Sequence, residues 1–247
     1  MIDIYMTSWN RIEFTMKAIQ LIHERTLGFQ LHVFDNDSDS FTVEALYELW
    51  MKGKIASLHL DTRNTGCVYN KGIFHMMTES SQKYYVVTDN DVYPPKLTPD
   101  WLSQMIAIMD AHPNLAFLAP QLPPQSLQTP DRNRVESDIV YCRDVGNTFK
   151  LVRREAFPIA EFNTILGGYG DDGIVCIEAK KKGYEAAFCR NIFCRHAGQC
   201  KNWGYKDHEI ALDPRKTGRG DYTPYGEPFV YPLANEETFE PAAEYRI

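Results

Sequence analysis

Two short acidic clusters carry the chemistry this sequence could do. In Asp89-Asn90-Asp91, two carboxylates stand two residues apart around an amide. These are hard oxygen donors, suited to Mg²⁺ or Mn²⁺ bridging a phosphate. The second cluster is Asp171-Asp172, set among Gly167, Gly168, Gly170 and Gly173, glycines that let the backbone approach another molecule closely. A positioned carboxylate there can take a proton as a general base. Each cluster also has a plainer reading. Asp and Asn dominate ordinary turns, and acidic residues suit the first turn of a helix, where the dipole welcomes negative charge. His196 is a further candidate, as a ligand or as a structural histidine.

The elements that would position these groups follow from pattern. Tyr84-Tyr85-Val86-Val87-Thr88 is β-branched and aromatic, a buried strand that delivers the first acidic cluster at its end. Pro94 and Pro95 then stop regular structure. Upstream, residues 2–6, 31–34 and 55–60 read as strands, and helices are expected over about 12–25, 41–52 and 67–79. The first helix is expected to take an N-cap from Thr7-Ser8-Trp9-Asn10-Arg11 and to be closed by Gly28. Val43, Leu46, Leu49 and Trp50 mark one side of the second helix. Strands alternating with helices argue βαβ units and a parallel sheet. The polar clusters 7–11, 35–40 and 89–91 then share the carboxyl edge of that sheet, where a nucleotide would lie.

Further along, a helix is expected at about 99–112 and a strand at 115–118. Residues 119–138, with Pro120, Pro123, Pro124 and Pro130, read as a long loop over the acceptor side. Residues 139–142 and 148–152 suggest a second, mixed part of the sheet, and Gly183 closes a helix that opens at the second acidic cluster. Residues 184–188 read as the last strand, and the polar, aromatic tail from 201 shows no period.

The totals bound the function. The chain has 247 residues and carries a net charge of −7, which argues against a broad grip on nucleic acid. An anionic substrate must therefore be held locally. No apolar run reaches membrane-spanning length, and residues 1–6 enter a strand pattern without a signal peptide, so a cytoplasmic protein is expected. The six cysteines read as buried thiols; Cys189, Cys194, His196 and Cys200 lack a Cys-x-x-Cys pair and fit zinc spacing poorly. No Gly-x-Gly-x-x-Gly follows the first strand, and no Gly-x-x-x-x-Gly-Lys-Ser/Thr occurs.

Taken in order, several segments resemble the GT-A glycosyltransferases of the family 2 type. Ile4 to Arg11 is similar to that family's opening strand and Thr-x-Asn-Arg turn, and Val33 to Asp39 to its second motif. Asn64-Thr65-Gly66 with Asn70-Lys71-Gly72 resembles its Asn-x-Gly pair, and Asp89-Asn90-Asp91 its Asp-x-Asp metal motif. Phe149 to Phe157 and Gly170-Asp171-Asp172 look like its later motifs. The likeness covers about residues 2–200. It departs at Asp171-Asp172, where Glu-Asp is usual, and in lacking the Gln-x-x-Arg-Trp segment of processive synthases.

The resemblance implies an α/β GT-A, Rossmann-like fold: a mostly parallel central sheet flanked by helices, with a smaller mixed sheet on the acceptor side. It implies a nucleotide-binding part at about 1–95, an acceptor part at about 96–200, and a tail, 201–247, packed on the domain or a partner. The activity implied is transfer of one sugar, with inversion, from a nucleotide-diphosphate sugar (a UDP-sugar foremost) to a glycan or glycolipid hydroxyl, as in polysaccharide biosynthesis. Mn²⁺ or Mg²⁺ would be held by Asp91, with Asp89 and His196 as further ligands. Thr7, Asn10, Arg11, Asp35, Arg63, Asn64, Asn70, Asp89 and Asn90 would hold the donor, and Asp172 or Asp171 would be the base. Peripheral membrane attachment and a homodimer stay open. The competing readings are a nucleotidyltransferase, which would want a Gly-rich loop after the first strand, and a non-catalytic sugar-binding module.

Overall fold

The computed structural model describes residues 1–62, 81–122, 130–146, 148–157, 171–198 and 233–241. Side chains of residues 130–133, 171, 172 and 233 are outside that description. The expected helix at 67–79, with Arg63, Asn64 and Asn70, lies outside the described residues, as do Gly167, Gly168, Gly170 and the aromatics of 201–232.

Among the described residues, nine strands form one sheet. They are β1 (Ile2–Ser8), β2 (Phe29–Asn36), β3 (Ser57–Asp61), β4 (Tyr84–Asp89), β6 (Leu115–Gln121), β7 (Pro130–Val135), β8 (Ile139–Cys142), β9 (Phe149–Arg153) and β10 (Glu185–Phe193), in the order β3-β2-β1-β4-β9-β6-β10-β8-β7. β1 pairs in parallel with β2 and β4, and β2 with β3. β9 is antiparallel to both β4 and β6, and β8 to both β10 and β7. Only β8 and β9 therefore run against the rest. Two small antiparallel ribbons stand apart, β5 (Val92–Tyr93) with β11 (Arg195–His196), and β12 (Leu233–Asn235) with β13 (Glu240–Pro241).

Alternation along each strand puts apolar groups on both faces. Ile4, Met6, Val33, Val86 and Leu151 face α1 (Ile12–Arg25), α2 (Ser40–Met51) and α3 (Trp101–Ala111), meeting Ile19, Ile22, Leu46, Trp101 and Met105. Tyr5, Phe34, Tyr85, Val87 and Val152 lie on the other face with Val175, Cys176 and Ala179 of α4 (Asp171–Lys181). Coverage on both faces explains why β4 reads as a continuous apolar run: Val86 and Val87 are both 0% exposed. Full burial of such a side chain stabilises by roughly 1.5–3 kcal/mol.

Several expectations need correction. The stretch 119–138 is not one long loop, because β6 extends to Gln121 and Pro130–Val135 forms the edge strand beside β8. An edge position tolerates Pro130 because only one side of the strand must donate. Residues 184–188 are not the last strand: β10 reaches Phe193 and β11 and two tail strands follow. Arg11 holds the N-cap position of α1 in the left-handed region, φ 56°, with no side-chain cap, and Thr26 rather than Gly28 caps its end. Gly28 (φ +66°) instead turns the chain, its carbonyl accepting from Ile2 N at 2.8 Å. Trp50 is 41% exposed, so it turns away from the side of α2 that buries Leu46.

Gly183 (φ +86°) does terminate α4, donating to the Lys180 carbonyl while Tyr184 N donates to that of Ala179. This tight reversal sends the chain straight into β10. α4 consequently begins at the sheet edge where β4, β6 and β10 end.

Candidate metal and donor site

The polar strand ends come out level. Thr7 is paired with Phe34 and Asp89, and Ser8 with Asp35, so the ends of β1, β2 and β4 lie side by side. The loops beyond them are cross-braced. Ser38 N and Oγ donate to the Asp35 carboxylate at 2.9 and 2.5 Å, and Asn10 N donates to Ser38 Oγ at 2.7 Å. Asp39 N donates to Asn10 Oδ1 (2.9 Å), and Asp39 in turn accepts from Thr42 N to cap α2. Asn90 Nδ2 donates to Thr15 Oγ1 at 2.8 Å and to the Asn10 carbonyl at 3.3 Å. This bracing stabilises three left-handed residues, Asn10 (φ 50°), Arg11 (φ 56°) and Asp37 (φ 67°).

Asp35 is buried, and both its oxygens are engaged by Ser38. Burial pushes its carboxyl above the ordinary value, against the downward pull of those bonds. Asn90 is likewise buried and turned toward Asn10 and Thr15. Among the described residues the Thr7 hydroxyl, by contrast, is buried with no hydrogen-bond partner.

Beyond β4 the chain turns through Asn90 and Asp91 into β5, which pairs with β11 so that His196 stands opposite Val92. Ala197 N donates to the Asp91 carbonyl at 2.8 Å and fixes this approach. His196 Nε2 then lies 3.2 Å from Asp91 Oδ2, and both side chains are almost fully buried. Arg11 Nη2 donates to the same oxygen at 2.6 Å. Burial alone would raise the Asp91 carboxyl, but His196 and the Arg11 guanidinium together hold it well below the usual carboxylate range. Burial opposes charge on His196 too, yet Asp91 and then Asp89 raise its pKa above the ordinary imidazole value.

Asp89, Asp91 and His196 each present a ligand atom, all within 4.8 Å of one another. Among the described residues this is the one group of that kind. It takes His196 out of the cysteine cluster 189–200; Cys142, Cys176, Cys189 and Cys194 are buried thiols.

Sequence reasoning passed over Gly198. A Cβ built there would collide with Arg11 Nη2 and Asp91 Oδ2 and come within 2.7 Å of Arg11 Cζ. It also passed over Ser38 and Thr15; the Asp35-x-x-Ser38 spacing, which suits a local side-chain turn, was the available signal for the first. Asp171 and Asp172 are the first two residues of α4.

No family model and no curated protein sequence matches this chain. Solved structures match it in shape. The mannosyltransferase PcManGT from Pyrobaculum calidifontis, in complex with GDP-Man and Mn²⁺, gives a TM-score of 0.64 at 16% identity, over 85% of this chain and 60% of its own. GalNAc-T7 with UDP, GalNAc and Mn²⁺ gives 0.59 at 11% identity, over 78% and 43%. TarS 1-349 of S. aureus in complex with UDP-GlcNAc gives 0.57 at 13%, over 76% and 55%. This chain thus spans 60% or less of each of those structures. The likeness is one of architecture, and the chain has the GT-A fold of these glycosyltransferases.

Proposed function

We propose that this chain is a metal-dependent, inverting glycosyltransferase that moves one sugar from a nucleotide-diphosphate donor to a glycan or glycolipid hydroxyl. One observation carries the reading: Asp89, Asp91 and His196 converge, within 4.8 Å, at the strand edge where a GT-A sheet receives its ligand. Two carboxylates and an imidazole suit Mn²⁺ and can also take Mg²⁺. Bound there, the cation would act as a Lewis acid toward the leaving diphosphate.

The chain's own residues supply the rest. The buried Thr7 hydroxyl, which has no partner among the described residues, and the Arg11 guanidinium would meet the donor, and Arg63, Asn64 and Asn70 are assigned to it as well. Asp35 and Asn90 act on the donor by holding the loops that bear Asn10 and Arg11 in place. Asp172, with Asp171 as the alternative, removes the proton of the acceptor hydroxyl as it attacks opposite the diphosphate, and α4 starts at the matching edge. Structures of this fold complexed with GDP-Man and UDP-GlcNAc support a nucleotide-sugar donor, here a UDP-sugar. We assign the donor to about 1–95 and the acceptor to about 96–200. A cytoplasmic setting, at a membrane surface for a glycolipid acceptor, fits the buried thiols; among the described residues no helix is long and apolar enough to span a membrane.

A thermal-shift screen of nucleotide diphosphates with and without Mn²⁺ tests the site, because a ligand raises apparent stability by mass action. A nucleoside diphosphate should stabilise the protein more with Mn²⁺ than without. The reading falls if no nucleotide shifts the transition under either condition. Asp172→Asn should then keep nucleotide binding and lose transfer; the same result in Asp171→Asn instead would move the base by one residue.

A further inference from the structure

We infer that Arg11 is a tethered cation that competes with the metal for Asp91 and must leave that carboxylate before the metal is held there. The inference rests on the metal-site reading above. One oxygen, Asp91 Oδ2, faces two positive groups: Arg11 Nη2 at 2.6 Å and His196 Nε2 at 3.2 Å. A divalent cation held between Asp91 and His196 would share that oxygen with a guanidinium already in contact with it. In a site this buried, like charges repel with little screening by salt.

The docking of Arg11 is built into the fold. Its backbone is fixed in the left-handed region, next to an Asn10 tied to Ser38, Asp39 and Asn90. Gly198 leaves the space into which the guanidinium reaches, since any Cβ there would overlap it. Arg11 also has a second contact, because its Cζ lies 4.7 Å from the centre of the Phe14 ring. A cation–π contact of this kind can receive the guanidinium without a carboxylate. Both contacts are made at once, so the ring can keep hold of the guanidinium when the carboxylate is given up to a metal.

The full chain, stripped with chelator, is titrated with Mn²⁺ alone and free Mn²⁺ is read by electron paramagnetic resonance, with circular dichroism confirming folding. Arg11→Gln should bind Mn²⁺ tighter by about tenfold or more, within the usual range of coupling between two ligands. Arg11→Lys should fall between it and the native protein, since its ammonium keeps the charge but loses the guanidinium fork. A folded Arg11→Gln that binds no tighter overturns the inference. So does an Arg11→Lys that binds like the native protein, which would show charge repulsion at a distance rather than contact; that arm stands alone if the glutamine variant fails to fold. Native binding that Asp91→Asn abolishes, with no gain on changing Arg11, removes this inference and leaves the metal site standing. If no folded variant binds Mn²⁺, both fall together.

Discussion

At the scale of the residue, Asp91 concentrates the molecule's electrostatics on one buried oxygen. Asp91→Asn keeps the shape but leaves Arg11 and His196 facing a neutral amide, at an expected cost of about 3–5 kcal/mol. Urea denaturation measures that cost, and the Mn²⁺-dependent thermal shift should vanish with it; a retained shift would place the cation elsewhere. Gly198→Ala removes no polar group, yet its methyl would overlap Arg11 Nη2 and Asp91 Oδ2. It should lower the melting temperature and abolish the Mn²⁺ shift. A native melting temperature in that variant would mean that the Arg11 and Asp91 side chains, or residues 197–198, move aside. Asp89, Asp91 and His196 were legible as candidates because their side chains carry the chemistry. Gly198 was not, because a glycine's necessity lies in what packs over it.

At the scale of the element, the two-residue ribbon β5/β11 does what no long element does here, carrying His196 to Asp91. The segment 233–241 is pinned to the loop after β5: Lys96 N donates to the Glu237 carbonyl at 3.0 Å, Arg25 Nη1 to the Pro94 carbonyl at 2.9 Å, and Arg25 lies over the buried Phe239 ring. Phe239→Ala should therefore weaken Mn²⁺ binding as well as stability, although residue 239 is no ligand. Equal Mn²⁺ affinity in a destabilised Phe239→Ala would confine that segment to holding the fold. Arg153 has a purely structural place. Its guanidinium, 3% exposed, donates to the carbonyls of Leu115, Met109 and His112 and to Tyr84 Oη, binding β9 to the end of α3. Arg153→Met would strand those carbonyls, at a cost of roughly 3 kcal/mol or more by urea denaturation. A change under 1 kcal/mol, the size of one ordinary net hydrogen bond, would refute it.

At the scale of the whole molecule, burial sets the alkaline edge of stability. It raises the thiols of Cys142, Cys189 and Cys194 and the phenol of Tyr85. Each keeps its proton in the folded chain at a pH where the unfolded chain has lost it, so the folded state binds more protons and stability falls as pH rises. The contribution is whole below the ordinary thiol value of about 9 and is lost above it. Equilibrium unfolding followed from pH 7 to 10.5 should show that decline, and Cys142→Ala should lessen its slope. A flat profile would mean that these groups titrate alike in both states.

The division between sequence and tertiary structure follows from range. Strand, helix and turn signals act between near neighbours, so β1 to β4, α1 to α3 and the level polar edge could be read from spacing. The acidic pair at the end of a buried strand could be read the same way. Pairings across long separations could not. Residues 130–135 became a strand only because β8 offered an edge, and His196 became a partner of Asp91 only because β11 found β5. That Asn90 braces a loop was also beyond the sequence: its buried hydrogen bond to Thr15 joins groups that only the folded chain brings into contact.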